Sequence, residues 1–150
     1  MLILLLTALA VTALTIIVHG VGTTQWLRHL THEHAGRDYR LKTRMRLVVI
    51  IQTATLMILL HFIEIMMWAG AFMVVARDEL QTFETAVYFS AVTFTTLGYG
   101  DITLSTDWRL LSGFEAIGGI VLIGWTTAFL FAVLQRIWDG PGSAQGESKQ

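Results

Sequence analysis

Three long apolar stretches dominate the pattern of hydrophobic and polar positions along the chain. The first runs from Leu2 to Val18, the second from Leu47 to about Ala76, and the third from about Leu110 to Ile137. Each is long enough to cross a hydrocarbon core about 30 Å thick, for which a helix needs roughly 17–25 residues. Because backbone polar groups cannot stay unpaired in lipid, each stretch is predicted to form a membrane-spanning helix.

A fourth and shorter apolar stretch, from Phe83 to Phe94, lies between the second and the third. At roughly 12 residues it is too short to span a bilayer. It is therefore predicted either to re-enter the membrane from one side or to lie as an ordinary helix on the outer surface. The residues that follow it favour re-entry.

The distribution of basic side chains predicts the orientation. The loop after Trp26 holds six of them, Arg28, Arg37, Arg40, Lys42, Arg44 and Arg46, whereas the connection from Arg77 to Arg109 is rich in aspartate and glutamate. Short basic loops stay cytoplasmic, so the N-terminus is expected outside the cell membrane and the C-terminus in the cytoplasm. Reading Leu2–Val18 as a cleaved signal peptide would reverse this, but the stretch lacks a positively charged start, which favours a retained helix.

Composition narrows the classes of function. Of the 150 residues, 54% are hydrophobic and only 14% are charged, against about 25% charged in soluble domains. The formal net charge of -1 argues against binding nucleic acid, and the absence of cysteine excludes disulfides and thiolate sites. With no phosphate loop, nucleophile constellation or zinc motif, we expect neither an enzyme nor an organic cofactor nor a small-molecule substrate.

The short apolar stretch leads directly into the segment Thr95-Thr96-Leu97-Gly98-Tyr99-Gly100-Asp101. A ribbon whose carbonyls all point to one axis needs alternating left-handed conformations, which Gly98 and Gly100 can adopt without steric cost. Such carbonyls, with the Thr96 hydroxyl at the inner end, can replace the water around a potassium ion. The alternative is a Gly-Tyr-Gly turn in an ordinary loop.

This segment resembles the signature of the potassium channel family, which occurs in small prokaryotic-type channels with two pore-flanking helices; here an N-terminal helix is added. Leu97 departs from the usual valine. The resemblance implies an all-α membrane protein with three transmembrane helices, a re-entrant pore helix and a filter loop, assembling in lipid as a homotetramer. It implies that Thr96, Leu97, Gly98, Tyr99 and Gly100 form the filter, with permeant K⁺ held at the first four.

The resemblance also divides the chain and assigns supporting roles. It implies an N-terminal transmembrane helix (1–22), a basic cytoplasmic linker (23–46), a pore domain (47–138) and a disordered cytoplasmic tail (139–150). Tyr88 is expected to reach Asp101, and Phe89 is expected to pack on Tyr99. Thr95, the residue before the filter, is expected to support it.

The last span contains a glycine pair, Gly118-Gly119, at which the resemblance places a gating hinge; the alternative is close helix packing. A stripe of side chains below it, Ile120, Ile123, Thr127 and Phe131, either lines the cavity, with Thr127 and Phe131 at an inner gate, or packs on the second span.

Three ionisable side chains fall inside the predicted spans, namely His61, Glu64 and Glu115. Such groups are costly at membrane depth and usually face protein or water. They could form a proton-sensitive network behind the filter or a hydrogen-bonded structural tie. His29, His32 and His34 are instead expected in a solvated linker and not at a metal.

A passive potassium-selective channel is thus the leading hypothesis for the function. One alternative is a subunit of a potassium transport system, although such transporters usually carry four degenerate filter loops in one long chain. The other alternative is a non-conducting accessory subunit of another channel.

Overall fold

The structure of the protein, a computed structural model, describes residues 1–34 and 43–138, and in these ranges it contains helices and no strand. The helices are α1 (Leu2–His34), α2 (Thr43–Val75), α3 (Phe83–Phe94) and α4 (Arg109–Trp138). Three of them are long and apolar enough to cross a membrane, over Leu2–His32, Arg44–Val75 and Arg109–Ile137. The prediction of an all-α membrane protein with three spans and a short helix before the third is confirmed.

Helix α1 extends further than the hydropathy pattern indicated. It continues to His34, so residues 23–34 are helical and not part of a linker, and α2 begins at Thr43, before the apolar stretch. A contact beyond the apolar part of α1 explains the extension, because the indole Nε1 of Trp26 donates to Thr53 Oγ1 of α2 at 2.9 Å. The predicted tail at 139–150 lies outside the described residues, and so do Arg37, Arg40 and Lys42, three of the six basic residues that predicted the orientation.

Helix α3 has the bounds that the sequence predicted, and its ends are capped. The hydroxyl of Thr82 accepts a hydrogen bond from the backbone N–H of Thr85 at 3.1 Å, which satisfies one free donor of the first turn. Glu84 in that turn complements the positive end of the helix dipole. At the other end the N–H of Thr95 donates to Ala91 O at 3.2 Å.

The packing places α3 between α2 and α4, while α1 lies against both of these long helices. The core around α3 contains large apolar side chains that are almost completely buried, Trp68, Phe72, Phe94, Leu111 and Leu122. The outward faces of α1, α2 and α4 carry many exposed apolar side chains, including Leu9, Ile58 and Val121. A bilayer would cover such faces, whereas their exposure to water would be unfavourable.

Candidate functional site

The ribbon that follows α3 alternates between two backbone conformations. Thr96, Gly98 and Gly100 have φ of 59°, 55° and 76°, and within the described part of the chain no other residue has positive φ. The two glycines are the positions at which the sequence predicted left-handed backbone. Thr96 was missed, although a strict alternation counted back from Gly98 would have pointed to it.

Thr96 is held in this unfavourable conformation by hydrogen bonds to the end of α3. For a residue with a Cβ, the left-handed region costs about 1–2 kcal/mol. The N–H of Thr96 donates to Thr93 O at 2.9 Å, and the N–H groups of Leu97 and Gly98 donate to Val92 O at 2.9 Å and 3.3 Å. The ribbon therefore starts from a fixed point at the C-terminal end of the short helix.

Within one chain the ribbon is almost uncovered. All of residues 95–100 are exposed, and the side chains of Leu97 and Tyr99 are 54% and 66% exposed. An open cleft beside the ribbon is lined by residues of the ribbon, α3 and α4, among them Tyr88, Gly98 and Ser112. The backbone and side chains of the ribbon are thus both free to meet other molecules.

The outer end of the ribbon is braced by Asp101. The Tyr88 hydroxyl donates to Asp101 Oδ2 at 2.6 Å, so the contact that the resemblance implied is present. This hydrogen bond to the carboxylate is the main cause that raises the pKa of the Tyr88 phenol. Phe89 makes its edge-to-face contact with Phe72 of α2, with ring centroids 5.1 Å apart; its predicted partner Tyr99 points to the exposed side.

A second brace was not predicted from the sequence. The Glu79 carboxylate accepts hydrogen bonds from the backbone N–H and the hydroxyl of Ser105, both at 2.6 Å. It therefore ties the loop before α3 to the loop before α4. Nothing distinguishes Glu79 from the other acidic residues of this connection in the sequence alone.

Helix α4 packs through Gly119 against Phe94, the residue directly before the ribbon. A Cβ built on Gly119 would lie 2.1 Å from the carbonyl oxygen of Phe94, the last residue of α3, whereas a Cβ on Gly118 would meet nothing within 4 Å. Helix α4 is continuous through both glycines. Close packing therefore accounts for Gly119, and Gly118 has no such contact.

The side chains below these glycines lie on an open face of α4. Ile120 and Phe131 are 59% and 60% exposed, and Ile123 is 38% exposed. Thr127 is also exposed, and its hydroxyl donates to Ile123 O within the helix at 3.0 Å. The exposure of these side chains in the single chain leaves the stripe open to lining a cavity, which stays a prediction.

The described fold was compared with known proteins. Residues 45–136, more than half of the chain, match a family model described as ion channel. The chain belongs to this ion channel family. Neither the curated proteins nor the solved structures contain a match to the chain.

The matched region of this ion channel contains α2, α3, the ribbon and nearly all of α4, and α1 precedes it. The chain is therefore an integral membrane protein of an ion channel family, which suggests a channel and not an enzyme.

The ionisable groups inside the spans of this ion channel form two separate sites. His61 and Glu64 are together, with His61 Nδ1 2.8 Å from Glu64 Oε2. They are joined by His19 of α1, which the sequence analysis missed because its partners are distant in the chain. Glu115 does not belong to this group, since its partner is Ser90 of α3.

Glu115 and Ser90 connect α4 to α3 and α2. The Ser90 hydroxyl lies 3.0 Å from Ile65 O and in short contact with Glu115 Oε1. A hydroxyl has only one proton to donate. If the Ser90 hydroxyl donates it to Ile65 O, its contact with Glu115 is a hydrogen bond when the carboxyl group of Glu115 is protonated and donates in turn. This supports the structural tie that the sequence left open for Glu115.

Proposed function

We propose that this ion channel is selective for potassium and that residues 96–100 are its selectivity filter. The observation that carries the proposal is the alternation of left-handed backbone at Thr96, Gly98 and Gly100. Such alternation lets successive carbonyls face one axis, where they can replace the hydration shell of K⁺. The ion sites are the carbonyls of Thr96, Leu97, Gly98 and Tyr99, with the Thr96 hydroxyl at the inner end.

The short helix assists the same ion. Its C-terminal residue, Phe94, directly precedes the ribbon, and the helix dipole gives that end a partial negative charge. This partial charge stabilises a cation below the ribbon, and it binds the cation less tightly than a carboxylate would. The Tyr88–Asp101 brace at 2.6 Å holds the opposite end of the ribbon.

The complete pore consists of four identical chains around one axis. One chain contributes one ribbon, and the exposure of Leu97 and Tyr99 supports further copies that cover them. A cyclic arrangement closes such a heterologous contact on itself. The exposed stripe on α4 then faces the central cavity, where Thr127 and Phe131 converge as an inner gate.

The proposed orientation places the connection between α2 and α4 outside the cell. Three spans put the two ends of the chain on opposite sides of the membrane, and the basic loop before α2 favours the cytoplasm. The N-terminus is then external and the C-terminus cytoplasmic, in the cell membrane.

Flux through reconstituted protein tests the proposal. In liposomes with mixed potassium and sodium gradients, the reversal potential should follow potassium, and barium should block the flux. Gly98→Ala, at φ 55°, should abolish selectivity because alanine disfavours left-handed backbone. Gly70→Ala is the matched control, since its Cβ meets nothing within 4 Å in α2, and should conduct as the wild type does.

Each alternative has its own result in this experiment. Equal passage of sodium and potassium would overturn the proposed selectivity. Absence of flux from well-folded protein would overturn the pore and favour an accessory subunit, while flux that requires a second protein would favour a transport system.

A further inference from the structure

A cluster of polar side chains lies inside the helix bundle, away from the ribbon. His19 and Glu64 are completely buried, and the side chain of His61 is 17% exposed. Each oxygen of the Glu64 carboxylate receives one imidazole, with His19 Nδ1 2.8 Å from Oε1 and His61 Nδ1 2.8 Å from Oε2. The two rings stack with their centroids 5.4 Å apart.

The far side of both rings meets one hydroxyl of α4. Thr126 Oγ1 lies 2.9 Å from His61 Nε2 and 3.4 Å from His19 Nε2. The cluster therefore joins α1, α2 and α4. It also lies against the end of α3, because the ring of His61 packs on Phe94 with centroids 5.7 Å apart.

The number of protons in the cluster follows from these four contacts. The carboxylate only accepts, so both Nδ1 atoms must carry hydrogen. The Thr126 hydroxyl has one proton and can donate to only one Nε2. The remaining Nε2 makes a hydrogen bond with the same hydroxyl only if it also carries hydrogen. One of the two imidazoles is then an imidazolium, with protons on both nitrogens.

The charge balance agrees with this count. One imidazolium beside the Glu64 carboxylate gives a cluster with no net charge, and a neutral cluster minimises the cost of burial. Within the described chain, the hydrogen bonds and ion pairs of the cluster include no other titratable group: α1 contributes His19, α2 contributes His61 and Glu64, and α4 contributes Thr126. Glu115, the buried acid of α4, is bonded to Ser90.

A divalent metal is the competing ligand for the same atoms. The candidate nitrogen and oxygen ligands of the three side chains lie within 4.8 Å of one another, a set that zinc accepts. A divalent ion with one carboxylate would leave a buried net positive charge, whereas one proton leaves none. The observed Nδ1 to oxygen distances of 2.8 Å are also those of hydrogen bonds.

We propose that His19, His61, Glu64 and Thr126 form a proton-binding site that holds one proton and docks α1 onto the ion channel domain. The site lies outside the ribbon and uses none of its residues. The test of this proposal measures neither flux nor selectivity. The proton-binding site can therefore be refuted while the proposed function stands, and the proposed function can be refuted while the site stands.

Histidine NMR on the full chain in lipid nanodiscs tests the proton directly. With ¹⁵N-labelled histidine, one ring of the cluster should show an imidazolium signal at neutral pH. Glu64→Gln keeps the shape and removes the counter-charge, so this signal should disappear, whereas His29→Gln should leave it in place. Two neutral rings at neutral pH, or an imidazolium that survives Glu64→Gln, would overturn the proposal.

Thermal unfolding at neutral pH supplies a second measurement. Glu64→Gln removes the counter-charge between the two rings and should lower the melting temperature, because an imidazolium buried without a counter-charge is costly. His29→Gln lies outside the cluster and should melt with the wild type. Equal melting of Glu64→Gln and the wild type would contradict the docking role.

Metal binding is measured on the same samples. Stoichiometric zinc in the purified wild-type protein, with unfolding that responds to a chelator, would replace the proton by a metal and refute the proposal. A metal-free protein that shows the imidazolium signal supports it.

Discussion

Replacing Gly119 by alanine tests whether α4 positions the end of α3, from which the ribbon starts, by direct contact. The new Cβ would lie 2.1 Å from Phe94 O, 2.9 Å from its carbonyl carbon and 3.2 Å from its Cα. All three atoms are backbone, so no side-chain rotation can relieve the overlap. The two helices must separate by roughly 1 Å, and overpacking of this kind costs about 1–3 kcal/mol.

Gly118→Ala is the matched control for this change. Its Cβ meets nothing within 4 Å, and alanine favours a helix over glycine by about 1 kcal/mol. Both variants gain this helix term, so the difference in stability between them, about 1–3 kcal/mol, isolates the clash. The measurement is thermal unfolding of the two purified variants in the same detergent.

Flux through liposomes completes the test. The ribbon begins directly after Phe94, so a displaced α3 end should reduce potassium flux in Gly119→Ala while Gly118→Ala conducts normally. If Gly119→Ala matched Gly118→Ala in both stability and flux, the packing argument would be refuted. Equal changes of open probability in both variants, without loss of stability, would instead support a hinge.

Three further predictions concern the ribbon, its brace and the contact between Glu115 and Ser90. Thr96→Gly should raise stability by about 1 kcal/mol, because it removes a left-handed Cβ, yet lower potassium affinity in a binding assay, while Thr96→Ser should keep the affinity. Tyr88→Phe should fold normally but lose flux faster under sustained gradients. Since Asp101 raises the pKa of Tyr88, the phenol still donates at neutral pH, and the wild type should approach this variant only in alkaline buffer. Glu115→Gln should melt near the wild type because an amide can also donate, whereas Ser90→Ala should lose about 1–3 kcal/mol through unpaired buried groups.

The features that depend on local chemistry were predictable from the sequence. The lengths of the apolar stretches predicted three spans, and the apolar stretch from Phe83 to Phe94 predicted the bounds of α3. Gly98 and Gly100 were identified because left-handed backbone is a property of single residues. Thr96 was not identified because its left-handed conformation is imposed by hydrogen bonds to α3, and such contacts cannot be read from the sequence.

The features that depend on distant contacts were not predictable. His19 pairs with Glu64, 45 residues away, and no periodicity relates them. Glu115 was grouped with His61 and Glu64 because all three lie inside spans, but residues at membrane depth need not share a face. The same limit applied to α1, whose extension to His34 rests on a contact with α2.

The burial of His19 has a consequence for biogenesis. Its Nδ1 is satisfied by α2, and its Nε2 by Thr126, which is 107 residues further along the chain. During synthesis the first helix therefore enters the bilayer with a polar ring whose Nδ1 has no partner until α2 emerges from the translocon and whose Nε2 has none until the last helix emerges. Insertion of the first helix alone should be reversible, and the arrival of the last one should commit the chain to its final topology.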